Sequence, residues 1–208
     1  ITPIRELKLS REEEIDFLTK NGVKGNWEKA LYSINQGLWG TSIGGKETLT
    51  SHESLPEDAY LSKPQSDIPF ELTINFSEGE PVAVNDKELS RVECIKELTE
   101  IGNKYAIGRD IHVGDTVIGI KGRVGFEAAG PIMIVKSHHL LEKHVLSKQQ
   151  LLWKDQLSMQ YGHHLHEGLF LDPAMRDIES FLSSSQRHVT GKVSLQLLPY
   201  RFVLKGIE

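Results

Sequence analysis

Alternation and helical periodicity divide the 208-residue chain into a succession of short elements. FELTINF at 70–76 alternates apolar and polar side chains, and PVAVND follows the turn Ser77-Glu78-Gly79-Glu80, which predicts an antiparallel hairpin. TVIGIK at 116–121 and PIMIVK at 131–136 read as strands separated by a turn rich in glycine, with Gly122, Gly125 and Gly130. Near the end, VTGKVSLQL and YRFVLKG make two more alternating strands about a turn at Pro199. Between these runs the period lengthens. Ser10 followed by Glu13 has the reciprocal capping pattern ahead of a helix over 11–20, which Asn21-Gly22 ends. Ser90 with Glu93 repeats that pattern ahead of Val92, Ile95, Leu98 and Ile101, so a helix to about Tyr105 is expected. Helical spacing returns from about Ser137, breaks at Leu146-Ser147 and resumes near Lys148. Asp172-Pro173 opens a last helix ending near Ser184. Hairpins and helices in irregular order predict an α+β fold, antiparallel sheet hairpins packed with helices.

Two segments have neither period. The stretch 25–45, GNWEKALYSINQGLWGTSIGG, sets five glycines among aromatic residues and reads as a loop held against a packed surface, the place to expect ligand contacts. Residues 46–69 turn polar, with Leu55-Pro56, Lys63-Pro64 and Ile68-Pro69 forcing extended geometry, and read as a connector.

Composition narrows the function. A net charge of -5 argues against nucleic acid as the main partner, because phosphate binding needs clustered positive charge. No run approaches the roughly 18 apolar residues of a membrane helix, and the N-terminus lacks a basic segment leading into an apolar one. The single cysteine, Cys94, lies in an apolar helical pattern and reads as a small buried hydrophobe, which fits a reducing cytoplasmic setting.

Few residues carry chemistry by themselves. His163, His164 and His166 form the densest cluster, yet no cysteine group or HExxH pattern supplies further zinc ligands, so a polar helix end or subunit contact is expected and no metal site. His138 and His139 read as helix-start residues rather than catalytic bases. The glycines of 37–45 lack the Gly-Lys-Ser/Thr ending and the strand-to-helix frame of a phosphate cradle. Arg109, Lys121 and Arg123 either face an anion or are solvated surface charge.

LYSINQGLWGTSIGG at 31–45, LPEDAY at 55–60, GEPVAVN at 79–85, LTEIGNKYAIGR at 98–109, VIGIKGR at 117–123 and SSSQRHVTGKVSLQL at 183–197 follow one another in an order similar to that of argininosuccinate synthase, in its C-terminal synthetase and multimerisation part. The resemblance spans nearly the whole chain, and residues 1–208 are expected to form that single domain. It implies an ATP-dependent ligase of arginine biosynthesis that joins citrulline and aspartate to argininosuccinate with release of AMP and pyrophosphate. ATP with Mg2+ would be held by an N-terminal domain, because no Ser-Gly-Gly-x-Asp pyrophosphate loop occurs here. The family also continues into a C-terminal arm that supports a homotetramer, so a truncated or processed fragment, inactive alone, is expected. Small-molecule substrates and a homo-oligomer are the implied partners, with no nucleic acid and no membrane.

Carried over by position, Ser33 and Ser42 match two serines that contact citrulline in the family. Gly114 and Phe126 stand where the family has a citrulline-binding glutamate and a tyrosine. Asp115 is a possible compensating carboxylate, although a shift of one residue on a strand points it to the opposite face. Loss of the glutamate would leave an ammonium unpaired and open space, which leads to a second expectation, a ligase using an Nα-acylated citrulline. A third is a noncatalytic binding or assembly module that keeps the fold.

Overall fold

The computed structural model describes residues 2–25, 27 and 32–208, with only the backbone of Pro3, Ile4 and Arg11. Leu31, the first residue of the 31–45 motif, lies outside the described residues. Two antiparallel sheets and six helices make up the described chain, an α+β fold as the sequence predicts.

Sheet B holds the larger core. Its strands β3 (Phe70–Ser77), β4 (Glu80–Val84), β5 (Lys87–Glu88), β8 (Gly191–Leu198) and β9 (Arg201–Ile207) run in the order β5-β4-β3-β8-β9. Leu72, Ile74 and Phe76 of β3 and Val193, Leu195 and Leu197 of β8 alternate with half-exposed polar residues, so one face is dry. The predicted β3–β4 hairpin turns at Glu78-Gly79, both at positive φ, a two-residue turn whose twist matches the strands. Helices α3 (Arg91–Asn103) and α4 (Ala129–Val145) cover that face with Cys94, Ile95 and Leu98 from one and Met133, Ile134 and Leu141 from the other.

The start of α4 overturns a predicted strand. PIMIVK belongs to a helix that begins at Ala129, not near Ser137. Pro131 sits in the first turn, where its missing N–H costs no hydrogen bond. Gly130, read as a turn residue, is instead a contact point: a Cβ there would stand 2.7 Å from the Ile95 carbonyl oxygen and 2.4 Å from Thr99 Oγ1. TVIGIK is corrected too. Thr116–Ile120 is the closing turn of a hairpin between β6 (Arg109–Asp115) and β7 (Lys121–Glu127), with Gly119 at φ +80.

The predicted helices α2 (Arg11–Lys20), α3, α5 (Lys148–His166) and α6 (Pro173–Gln186) are present, and both expected capping boxes form. A short α1 (Pro3–Leu7) precedes them. Residues 46–69 are the expected connector, with short 3-10 turns at Lys46–Leu49 and Glu57–Ala59. The glycine-rich stretch is not a loop throughout: β1 (Ser33–Gly37) and β2 (Gly40–Gly44) pair about Leu38-Trp39. With β6 and β7 they form sheet A, in the order β1-β2-β7-β6.

Candidate functional site

Register decides what sheet A can present. Asn35 pairs with Ser42, Ser42 with Phe126, and Phe126 with Asp110, a row of side chains across four strands on one face. Ser33 pairs with Gly44, and His112 pairs with Val124, so these residues lie on the same face one pleat further along. Ser33 and Ser42 are therefore diagonal neighbours on adjacent strands, a separation of about 7–8 Å. Gly114 and Phe126, four residues apart in register on the outer hairpin, also fall on this face. Beside Phe126 and Asp110 a cavity of about 370 Å³ opens against Trp39, Ile132 and Val135.

Gly114 does not leave a hole. The ring of His112 lies across it, and a Cβ at 114 would stand 2.6 Å from His112 Nε2. Asp115 is on the other face, where it pairs with Lys121 at 2.7 Å. Neither Asp110 nor His112 was singled out from sequence, because their place opposite Phe126 and Val124 depends on the pairing register.

The opposite face is a small second core with polar pins. Ile43, Leu55 and Ala59 are buried there beside Ile111, Tyr32 and Tyr60. Arg109, 11% exposed, makes a two-pronged bond to Glu57 at 2.8 Å, reaches Glu127 at 3.3 Å and donates to the Ser62 carbonyl. Glu127 also accepts from the Leu61 and Ser62 amides and the Ser62 hydroxyl. Tyr60 lies under the guanidinium at 4.4 Å, and burial pushes its phenol up against the opposing pull of Arg109. Arg123 donates to the carbonyls of Glu47, Thr50 and Glu53. Both arginines thus bind the connector to the sheet, whereas Lys121 is exposed surface charge paired with the exposed Asp115.

Residues 32–206 match the family model described as arginosuccinate synthase C-terminal domain. The chain belongs to the argininosuccinate synthase family. It is 37% identical to an argininosuccinate synthase of Methanocaldococcus jannaschii over 95% of this chain and 51% of that protein. One from Dictyoglomus thermophilum is 37% identical over 100% of this chain and 53% of the relative, and one from Xanthomonas campestris is 36% identical over 94% and 51%. The chain spans about half the length of the curated relatives it matches.

Within this chain, the segment GTSIGG is not built for phosphate. The amides of 41–44 lie in a strand flanked on both sides, by β1 and β7, so they serve the sheet ladder. Among the described residues no group of three His, Cys, Asp or Glu could hold a metal ion. His163, His164 and His166 take separate partners, Glu167 at 3.2 Å, the Gln160 carbonyl at 2.8 Å and the Asp115 carbonyl at 3.0 Å. His138 and His139 sit within α4 rather than at its start, flanking the fully buried Glu142, which Lys154 and Gln186 also bind. Burial pushes His138 below its ordinary value. Cys94 is buried against the Pro81 carbonyl, and burial pushes its thiol up. Among the described residues no helix is long and apolar enough to cross a membrane.

Proposed function

We propose that the complete protein is an ATP-dependent ligase that joins citrulline and aspartate to argininosuccinate with release of AMP and pyrophosphate, and that Ser33 and Ser42 of this chain contact citrulline. Family membership supports the reaction. The observation that carries the role of this chain is the diagonal placement of two serines on one face of sheet A, where Ser42 pairs with Phe126, a residue that lines a cavity of small-molecule size. Each hydroxyl can donate and accept at once, which suits a substrate bearing both donors and acceptors.

ATP and Mg2+ are bound by residues outside these 208, since the glycine-rich hairpin has its amides committed to the sheet. What the present face contributes is positioning. Holding citrulline in one orientation against an activated partner removes entropy that is worth roughly 7–11 kcal/mol in well-aligned reactions. A homo-oligomer in the cytoplasm is the expected setting. The His112 ring over Gly114 counts against a pocket for an Nα-acyl group at that point.

The test is ATP-dependent AMP release by the full-length protein with aspartate and citrulline. Loss of one hydrogen bond to a polar or charged group costs about 1–3 kcal/mol, so Ser33→Ala and Ser42→Ala should each lower kcat/KM by roughly 5- to 150-fold. No release with citrulline or with an Nα-acylcitrulline would refute the ligase and favour the noncatalytic module.

A further inference from the structure

We infer that Asp110 and His112 complete the amino-acid subsite, Asp110 as counter-ion of the substrate α-ammonium and His112 as donor to its α-carboxylate. This rests on the reading that Ser33 and Ser42 meet citrulline on this face.

The two residues stand at alternate positions of β6, so their side chains leave the same face about 6.6–6.8 Å apart. That spacing brackets the two charged groups on one α-carbon. Asp110 lines the cavity beside Phe126 and Trp39. One of its oxygens accepts the Ile111 amide at 2.7 Å, and it has no other hydrogen-bond or ion-pair partner among the described residues. His112 is exposed, also without a hydrogen-bond partner among the described residues, and its position depends on glycine at 114, because any side chain there would meet Nε2. Gly114 is thus the residue that lets an imidazole lie on the sheet.

The alternatives lie elsewhere. Asp115 and Glu127 are on the opposite face, held by Lys121 and Arg109. Every basic residue of β6 and β7 other than His112, namely Arg109, Lys121 and Arg123, is also on that face. On the ligand face of these two strands the charge-bearing side chains are Asp110 and His112. From β6 to β2 is two interstrand steps, about 9–10 Å, across Phe126 and Val124. An amino acid with its α-carbon at Asp110 and His112 would extend its side chain over Phe126 toward Ser42 and Ser33. The geometry therefore selects a substrate with a free ammonium.

The experiment uses the full-length enzyme and measures kcat and KM for citrulline, together with inhibition constants for desamino-citrulline, which lacks the α-amine. Asp110→Asn should raise the citrulline KM by roughly 10- to 100-fold with little change in kcat, and leave the affinity for desamino-citrulline unchanged. Asp110→Glu should recover part of the loss. His112→Gln should weaken both ligands by a similar factor, since both keep the carboxylate. Asp115→Asn should change neither. A purely structural role for Asp110 would weaken both ligands alike, and that result overturns the inference, as would unchanged constants in Asp110→Asn and His112→Gln. Wild-type preference for an Nα-acylcitrulline would overturn it as well. An inactive wild type would instead strike the ligase reading itself.

Discussion

Replacing Gly130 by alanine adds one methyl group at the closest approach of α3 and α4. The new Cβ would stand 2.4 Å from Thr99 Oγ1, 2.7 Å from the Ile95 carbonyl oxygen and 2.9 Å from the Thr99 amide nitrogen. The hydroxyl can rotate away, but the other two atoms are backbone. To restore ordinary contact at 3.4 Å, the helices must separate by roughly 0.7 Å. A gap of that size forfeits about a quarter to a half of the dispersion energy between atoms facing across it, and the interface includes Ile95, Leu98, Met133 and Ile134. Alanine also favours a helix over glycine by up to ~1 kcal/mol, less in the first turn. The net expectation is a loss of about 2 kcal/mol. In a chain of this length that lowers the melting temperature by roughly 4–8 °C. Gly162 offers the same chemical change without the clash: it lies in α5 with nothing within 4 Å of its added Cβ. Gly162→Ala should stabilise by about 0.8–1 kcal/mol. Urea titration of both variants measures the two signs, and a Gly130→Ala protein as stable as the parent would refute the close-packing account of this residue.

Two further outcomes concern the polar groups. Arg109→Met should destabilise by about 3 kcal/mol, because it leaves the buried Glu127 carboxylate without its counter-ion, and partial proteolysis should then cut within 46–69 first. Burial holds His138 below its ordinary 6.5, so the folded state binds that proton less tightly than the unfolded chain. The facing groups are Glu142, Gln186, Lys154 and His139. Stability is therefore lost as pH falls below about 6.5 toward the folded value, and His138→Gln should flatten the slope of unfolding free energy against pH in that window.

Local chemistry was legible where a few neighbouring residues decide the outcome. The pairs Ser10 with Glu13 and Ser90 with Glu93 announce their helices because both bonds of a capping box lie within four residues. The β3–β4 hairpin was readable for the same reason. Residues 131–136 were not, since an apolar run with isoleucine and valine has no period that separates a buried strand from a buried helix. The glycines misled in a consistent way: Gly130 serves close helix contact, and Gly40 and Gly44 are strand residues, whereas the sequence places the first in a turn and the other two in a loop. Of the candidate site, the nine-residue interval from Ser33 to Ser42 was visible, but its meaning as a diagonal pair required the turn at Leu38-Trp39. The separation of Asp115 from Gly114 was anticipated from the two-residue period of a strand. The shared face of Asp110 and His112 needed the partner strands, which no local pattern supplies.

The order of strands in sheet B sets a timetable for the chain as it is made. β3 pairs with β8 from Phe70 opposite Leu197 to Phe76 opposite Gly191. At about 5–20 residues per second, a ribosome needs roughly 6–25 s to go from one strand to the other. Throughout that interval the β3–β4 hairpin has an unpaired edge, and until α4 is made Leu72, Ile74 and Phe76 await that helix as well as their neighbouring strand. The central strand of the finished sheet is thus, during synthesis, an exposed edge of the kind on which aggregation begins.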